Sequence, residues 1–274
     1  MKKLLLLLLC VPFIVLGQDQ EKIKQANDIL RLSDIQVEKI LLEDINKINE
    51  TLHYGFYMLD GSESQKMGYA KISGSIDTVS SNEMYLSYNM YMYFDMSVDG
   101  NIESTITIFS GSFNALPTYE FIQEETRVIQ YGNEDKLVSK LVGGKYITTT
   151  FRNSKILQVD TTNCTISNYG LRDRFVGTYI VSELDAGKSN VFPYRSYSIS
   201  EGLESIDSVC FVKSQHHLVD GNNLRSYTFG TYSDDMYLES IYDEYGNEIL
   251  LKLDQYLEMR LENESQAKDM AYTA

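Results

Sequence analysis

Positive charge is scarce in this chain. Its 24 lysines and arginines are outnumbered by 39 aspartates and glutamates, for a net charge of −15. A surface that acidic repels phosphate backbones and anionic headgroups, so nucleic acid and membrane surfaces are not expected as partners. Histidine and cysteine number three each. His216 and His217 are adjacent, so on a strand they point to opposite faces and do not chelate one metal. The Asp-Gly-Asn turns lack the twelve-residue loop and closing glutamate of a calcium site. The expectation is no metal and no cofactor. Proline is equally rare at three residues, while tyrosine reaches 21, a balance that suits long, uninterrupted strands.

Long apolar runs are also missing, with one exception at the start. Lys2 and Lys3 precede the apolar stretch Leu4–Leu16, and Gln18-Asp19-Gln20-Glu21 ends it. That layout predicts a secretory signal peptide over residues 1–17, cut after the small Gly17. The stretch is shorter than the ~20 apolar residues of a spanning helix. A lipid anchor at Cys10 is disfavoured, because Leu9 is not small and apolar sequence continues to Leu16. The expected localisation is exported, periplasmic or extracellular. Cys164 and Cys210 are then candidates for one disulfide in an oxidising compartment. Two separate thiols are the alternative, because spacing does not reveal whether the Cα atoms come within reach.

The rest of the chain reads as an N-terminal helical segment, residues 18–53, followed by a single antiparallel β domain, 54–267, and a tail, 268–274. The helix is signalled by Ser33 with Gln36 as a capping box. Val37, Ile40, Leu41, Ile45, Ile48 and Leu52 then fall on one stripe. From Tyr54 the period changes to two. Strands are predicted over 54–59, 67–76, 83–96, 102–109, 117–131, 136–142 and 145–151. A second set covers 191–200, 208–214, 224–232, 236–242 and 248–262. Turn pairs such as Asp60-Gly61, Gly143-Gly144 and Asp220-Gly221 separate them. Leu171–Leu184 breaks the alternation and predicts a short helix stopped at Asp185-Ala186-Gly187. The expected fold class is mainly β (α+β). We expect a large, strongly curved antiparallel sheet, half-barrel or sandwich, carrying the N-terminal amphipathic helix and the short mid-domain helix.

One strand is unusual. Over 84–96 the even positions are Met84, Leu86, Tyr88, Met90, Met92, Phe94 and Met96, while the odd ones are polar or tyrosine. Met84, Tyr88, Met90, Met92 and Phe94 are therefore candidate lining residues for an apolar ligand, since methionine repacks easily. A core strand covered by the amphipathic helix is the favoured alternative, because apolar stripes usually serve folding.

Three segments resemble the β-rich domain that precedes the catalytic core of bacterial exported transglutaminase-like proteins. These are Tyr54-Gly55-Phe56-Tyr57 leading to Gln65–Ala70, Gly187 followed by Phe192–Ser198, and Ile241–Leu250 continuing through Met259–Glu262 to Ser265-Gln266-Ala267. The resemblance spans residues 54–267 and implies a core beginning where this sequence ends. Within the β region, Cys164, His216 or His217, and Asp234 or Asp235 occur in that family's order. Cys164 sits in Thr161-Thr162-Asn163-Cys164-Thr165 without the helix N-terminus that activates a thiolate. No catalytic residue is assigned. The expected function is a non-enzymatic exported accessory or binding module of the cell envelope, partnered by an envelope protein or an apolar small ligand. The alternatives are a periplasmic carrier of an apolar ligand or lipoprotein, and a hydrolase or transferase with an unrecognised site.

Overall fold

The computed structural model describes residues 50–60, 63–80, 83–98, 101–116, 120–163, 177, 180–181, 184–185, 187, 190–198, 203–219, 221–233, 236–252 and 256–270. The expected signal peptide, the helical stripe Val37–Ile48, Cys164, Asp234 and Asp235 lie outside these residues.

Among these residues fourteen strands form one antiparallel sheet. The first eight are β1 (Thr51–Asp60), β2 (Glu63–Ser80), β3 (Glu83–Val98), β4 (Asn101–Leu116), β5 (Glu120–Gln130), β6 (Asn133–Val142), β7 (Lys145–Arg152) and β8 (Lys155–Asn163). The remainder are β9 (Val191–Ser198), β10 (Leu203–Val219), β11 (Asn222–Ser233), β12 (Met236–Asp243), β13 (Glu248–Lys252) and β14 (Leu257–Glu262), followed by the helix α1 (Glu264–Lys268). Each set is a meander of hairpins. The two meanders join where β1 pairs with β14, so the sheet runs from β8 inward to β1, across to β14, and outward to β9. The sheet is open, with β8 and β9 as its edges.

Turn chemistry explains the hairpins. Gly143 and Gly144 both take positive φ between β6 and β7, as does Gly132 after Tyr131 between β5 and β6, the backbone of tight turns that match strand twist. The turn between β7 and β8 has no glycine. Asn153 and Ser154 hold φ of 47° and 66° there. Asn153 is steadied by its Oδ1 accepting from the Glu134 N–H at 2.9 Å and its amide donating to Asn133 Oδ1 at 3.0 Å. Such side-chain bonds let asparagine tolerate the left-handed region.

Several boundaries differ from expectation. The helical segment does not reach residue 53, since Thr51, Leu52 and His53 belong to β1. Leu52 satisfies either period, and its pairing with Ile72 puts it in the sheet. The strand expected over 102–109 runs on to Leu116 as β4, and the one expected over 117–131 begins at Glu120 as β5. Pro117, which has no N–H for a ladder, lies between them. The strand expected over 248–262 is instead the hairpin of β13 and β14. β8 was not anticipated.

Register shows that the sheet has one apolar face. Phe211, Phe229, Ser240, Leu251, Met259, Phe56, Gly68, Phe94 and Thr105 face one another strand by strand along a single row. Paired residues share a side, so the two apolar clusters lie on the same face. Tyr54, Phe56, Ala70 and Phe94 form one, and Phe192, Val209, Tyr227 and Phe229 the other. Over the second lie Ile180 and Val181, whose backbone is helical, as the broken alternation predicted. Gly187, at φ 68°, donates to the Leu184 carbonyl at 2.9 Å and marks the stop. Gly177 is required by close approach: a β-carbon there would lie 2.6 Å from the Tyr242 ring and would meet the Gly246 carbonyl. Each large side chain buried under this helix contributes ~1.5–3 kcal/mol.

Candidate functional site

The even positions of β3 from Met84 to Phe94 point to the apolar face, as their alternation predicts. The ends of this stripe are packed. Met84, Leu86 and Phe94 are buried, and the Phe94 ring lies 4.4 Å from Phe56. Its middle is different: Tyr88, Met90 and Met92 are only half-buried. Their neighbours in register are Gly74, Ile72 and Ala70 on β2 and Gly111, Phe109 and Thr107 on β4. Tyr88 therefore stands between two glycines, with its ring 5.2 Å from Phe109. The five sequence-derived lining residues share one strand face, and three of them form a continuous, partly exposed apolar strip. Thr105, further along this face, is buried with its hydroxyl unpaired.

The opposite face holds a polar cluster that sequence reasoning missed. Pairing of β1 with β14 sets His53 against Glu262, Gly55 against Arg260 and Tyr57 against Glu258. Lys66 arrives from β2 opposite Tyr57. The Lys66 ammonium lies 2.7 Å from Glu262 Oε2 and also donates to the Gln266 carbonyl in α1. The Tyr57 hydroxyl donates to Glu262 Oε1, and Arg260 pairs with Glu258. The Arg260 guanidinium sits 4.2 Å from the centroid of the Tyr57 ring, a cation–π contact. Two cations meet two carboxylates, with Tyr57 fully buried among them. The helix α1 is fixed beside it by a capping box between Asn263 and Gln266. With both Glu262 oxygens and the Lys66 ammonium engaged inside the protein, the cluster acts as a clamp between the two meanders.

A serine–histidine pair lies on β10 and β11. His217 Nδ1 is 2.8 Å from Ser226 Oγ, and Ser226 Oγ donates to the Gln215 carbonyl at 3.1 Å. We assign the imidazole proton to Nδ1, so histidine donates and serine accepts. A nucleophilic serine requires the reverse. Burial lowers the His217 pKa, helped by Lys213 and Lys252. Asp243, across from Ser226, accepts from the N–H groups of Tyr245 and Asn247 at 2.9 and 2.8 Å, and holds the turn after β12.

Among the described residues Glu248 is the one strongly perturbed carboxyl. Part of the residue's surface reaches solvent, but its carboxyl is enclosed, and burial pushes its pKa up to about 7 against hydrogen bonds from Ser240 and Tyr242. Its backbone carbonyl accepts from the Tyr54 hydroxyl at 2.9 Å. Among the described residues no group of three or more His, Cys, Asp or Glu side chains is arranged to hold a metal ion. Cys210, half-buried on β10, is a free thiol. No helix among the described residues is long and apolar enough to cross a membrane. Comparison with protein-family models, curated proteins and solved structures returned no match.

Proposed function

We propose that this is an exported, non-enzymatic binding module of the cell envelope, periplasmic or extracellular, which holds an apolar ligand against the middle of β3. The observation that carries this is the half-exposure of Tyr88, Met90 and Met92 in the middle of a β3 stripe whose ends, Met84, Leu86 and Phe94, are buried. Methionine adapts its three rotors to varied apolar shapes, and the glycines beside Tyr88 leave room for a chain or ring to lie along the sheet. In this reading the sheet is strongly curved, as a half-barrel, with the stripe on its inner side. The non-enzymatic part is supported by the engaged Lys66–Glu262 clamp and the donor direction at Ser226. The resemblance to the accessory domain of transglutaminase-like proteins agrees with a binding role.

A fluorescent fatty-acid probe, titrated beside chemical denaturation, tests the proposal. Met90→Ala with Met92→Ala is expected to weaken probe binding at least tenfold, and each substitution to cost under ~2 kcal/mol of stability. Losses of ~2–5 kcal/mol per methionine, the range of a packed core, with no probe bound by the wild type would overturn it.

A further inference from the structure

The two edges of the sheet are not equivalent. β9 carries Pro193, which lacks a ladder donor, a common way of blunting an edge. β8 contains no proline. Nearly all its side chains are exposed on both faces, with Ile156, Leu157 and Val159 at 58, 55 and 57 %. Among the described residues it pairs only with β7.

We propose that β8 pairs antiparallel with β8 of a second copy, joining two sheets into one across a twofold axis. The sequence of the edge specifies a register. With Lys155 opposite Asp160 of the second copy, Ile156 falls opposite Val159 of the second copy, and each pair occurs twice by symmetry. In an unbroken strand such pairs would point to opposite faces. The irregularity opposite Thr150 and Phe151 inserts one extra residue, Leu157, into β8. Lys155 and Asp160 consequently share the face of Arg152 and Thr148, while Ile156 and Val159 share the face of Phe151 and Thr149. Charge meets opposite charge on one side of the joined sheet and apolar meets apolar on the other, the pairing that stabilises cross-strand neighbours. The interface is isologous, so it closes at two copies.

Sedimentation of the full chain and two charge reversals tests this. The wild type is expected at twice the chain mass. Lys155→Asp and Asp160→Lys each place like charges opposite one another and should sediment as monomers. An equimolar mixture of the two should recover the dimer, because each interface position then holds one aspartate and one lysine. Circular dichroism of each variant confirms that the sheet is intact. A wild type that stays monomeric at concentrations on the order of 100 μM, or reversals that remain dimeric alone, would overturn the proposal.

Discussion

The seam and the margin of the sheet each carry an ion pair at the same separation. Lys66 and Glu262 lie 2.7 Å apart where the meanders join, with side chains 0 and 8 % exposed. Arg152 and Asp135 lie 2.7 Å apart on β7 and β6, with side chains 60 and 48 % exposed. Distance is equal and burial is opposite. What the contrast teaches is that the surroundings set what a pair is worth, because an exposed ion left alone is rescued by water and a buried one is not.

The largest effect is therefore expected at the seam. Lys66→Met removes the cation from Glu262 and the donor from the Gln266 carbonyl, leaving a buried carboxylate held among the described residues by Tyr57. We expect a loss of ~3–5 kcal/mol in urea unfolding. Adding Glu262→Gln should recover part of it, since the uncompensated charge is then gone. A loss below ~1 kcal/mol would place the clamp in contact with solvent.

Glu248 gives the next effect, and its sign is opposite to that of a paired carboxylate. Its folded pKa, about 7, lies above the ordinary value of 4.5, so the folded state binds the proton more tightly. Stability is fully present below pH 4.5, falls as pH rises, and stays reduced above pH 7, by about 3 kcal/mol from this group. Glu248→Gln should flatten the profile over that window and make the protein more stable than wild type at pH 8. Parallel profiles for the two proteins would contradict the enclosure of the carboxyl.

The comparison also separates what could be read from sequence from what could not. The β3 stripe was legible because Met84 to Phe94 alternate without interruption, and the sheet kept that alternation. The helical backbone at Ile180 and Val181 was legible because that segment breaks the same pattern. β8 was missed because its turn, Asn153-Ser154, takes left-handed backbone without glycine and relies on a bond to Glu134 from the neighbouring hairpin. The clamp was illegible for a different reason. Glu258, Arg260 and Glu262 alternate with Met259 and Leu261, which marks a strand, but alternation does not name a partner some 200 residues away. Only the pairing of β1 with β14 brings Tyr57 and Lys66 to them.

The smallest effect is expected at the margin, and it is the control for the first. Arg152 holds Asp135 with two bonds, Nε to Oδ1 at 2.7 Å and Nη2 to Oδ2 at 2.9 Å, and its hydrogen bonds keep the Asp135 carboxyl below its ordinary pKa. That bidentate geometry is close to ideal, so geometry alone would rank this pair with the seam. Solvent decides otherwise. Both partners are rehydrated when separated, ordering two long side chains costs entropy, and dissolved ions screen what attraction is left. Asp135→Asn should cost no more than ~1 kcal/mol at low salt, and raising the ionic strength should shrink the difference further. Urea midpoints of wild type and variant at two salt concentrations measure both quantities. A loss of 2 kcal/mol or more that salt leaves unchanged would mean that β6 and β7 are covered as deeply as the seam, and the contrast between the two regions would fail.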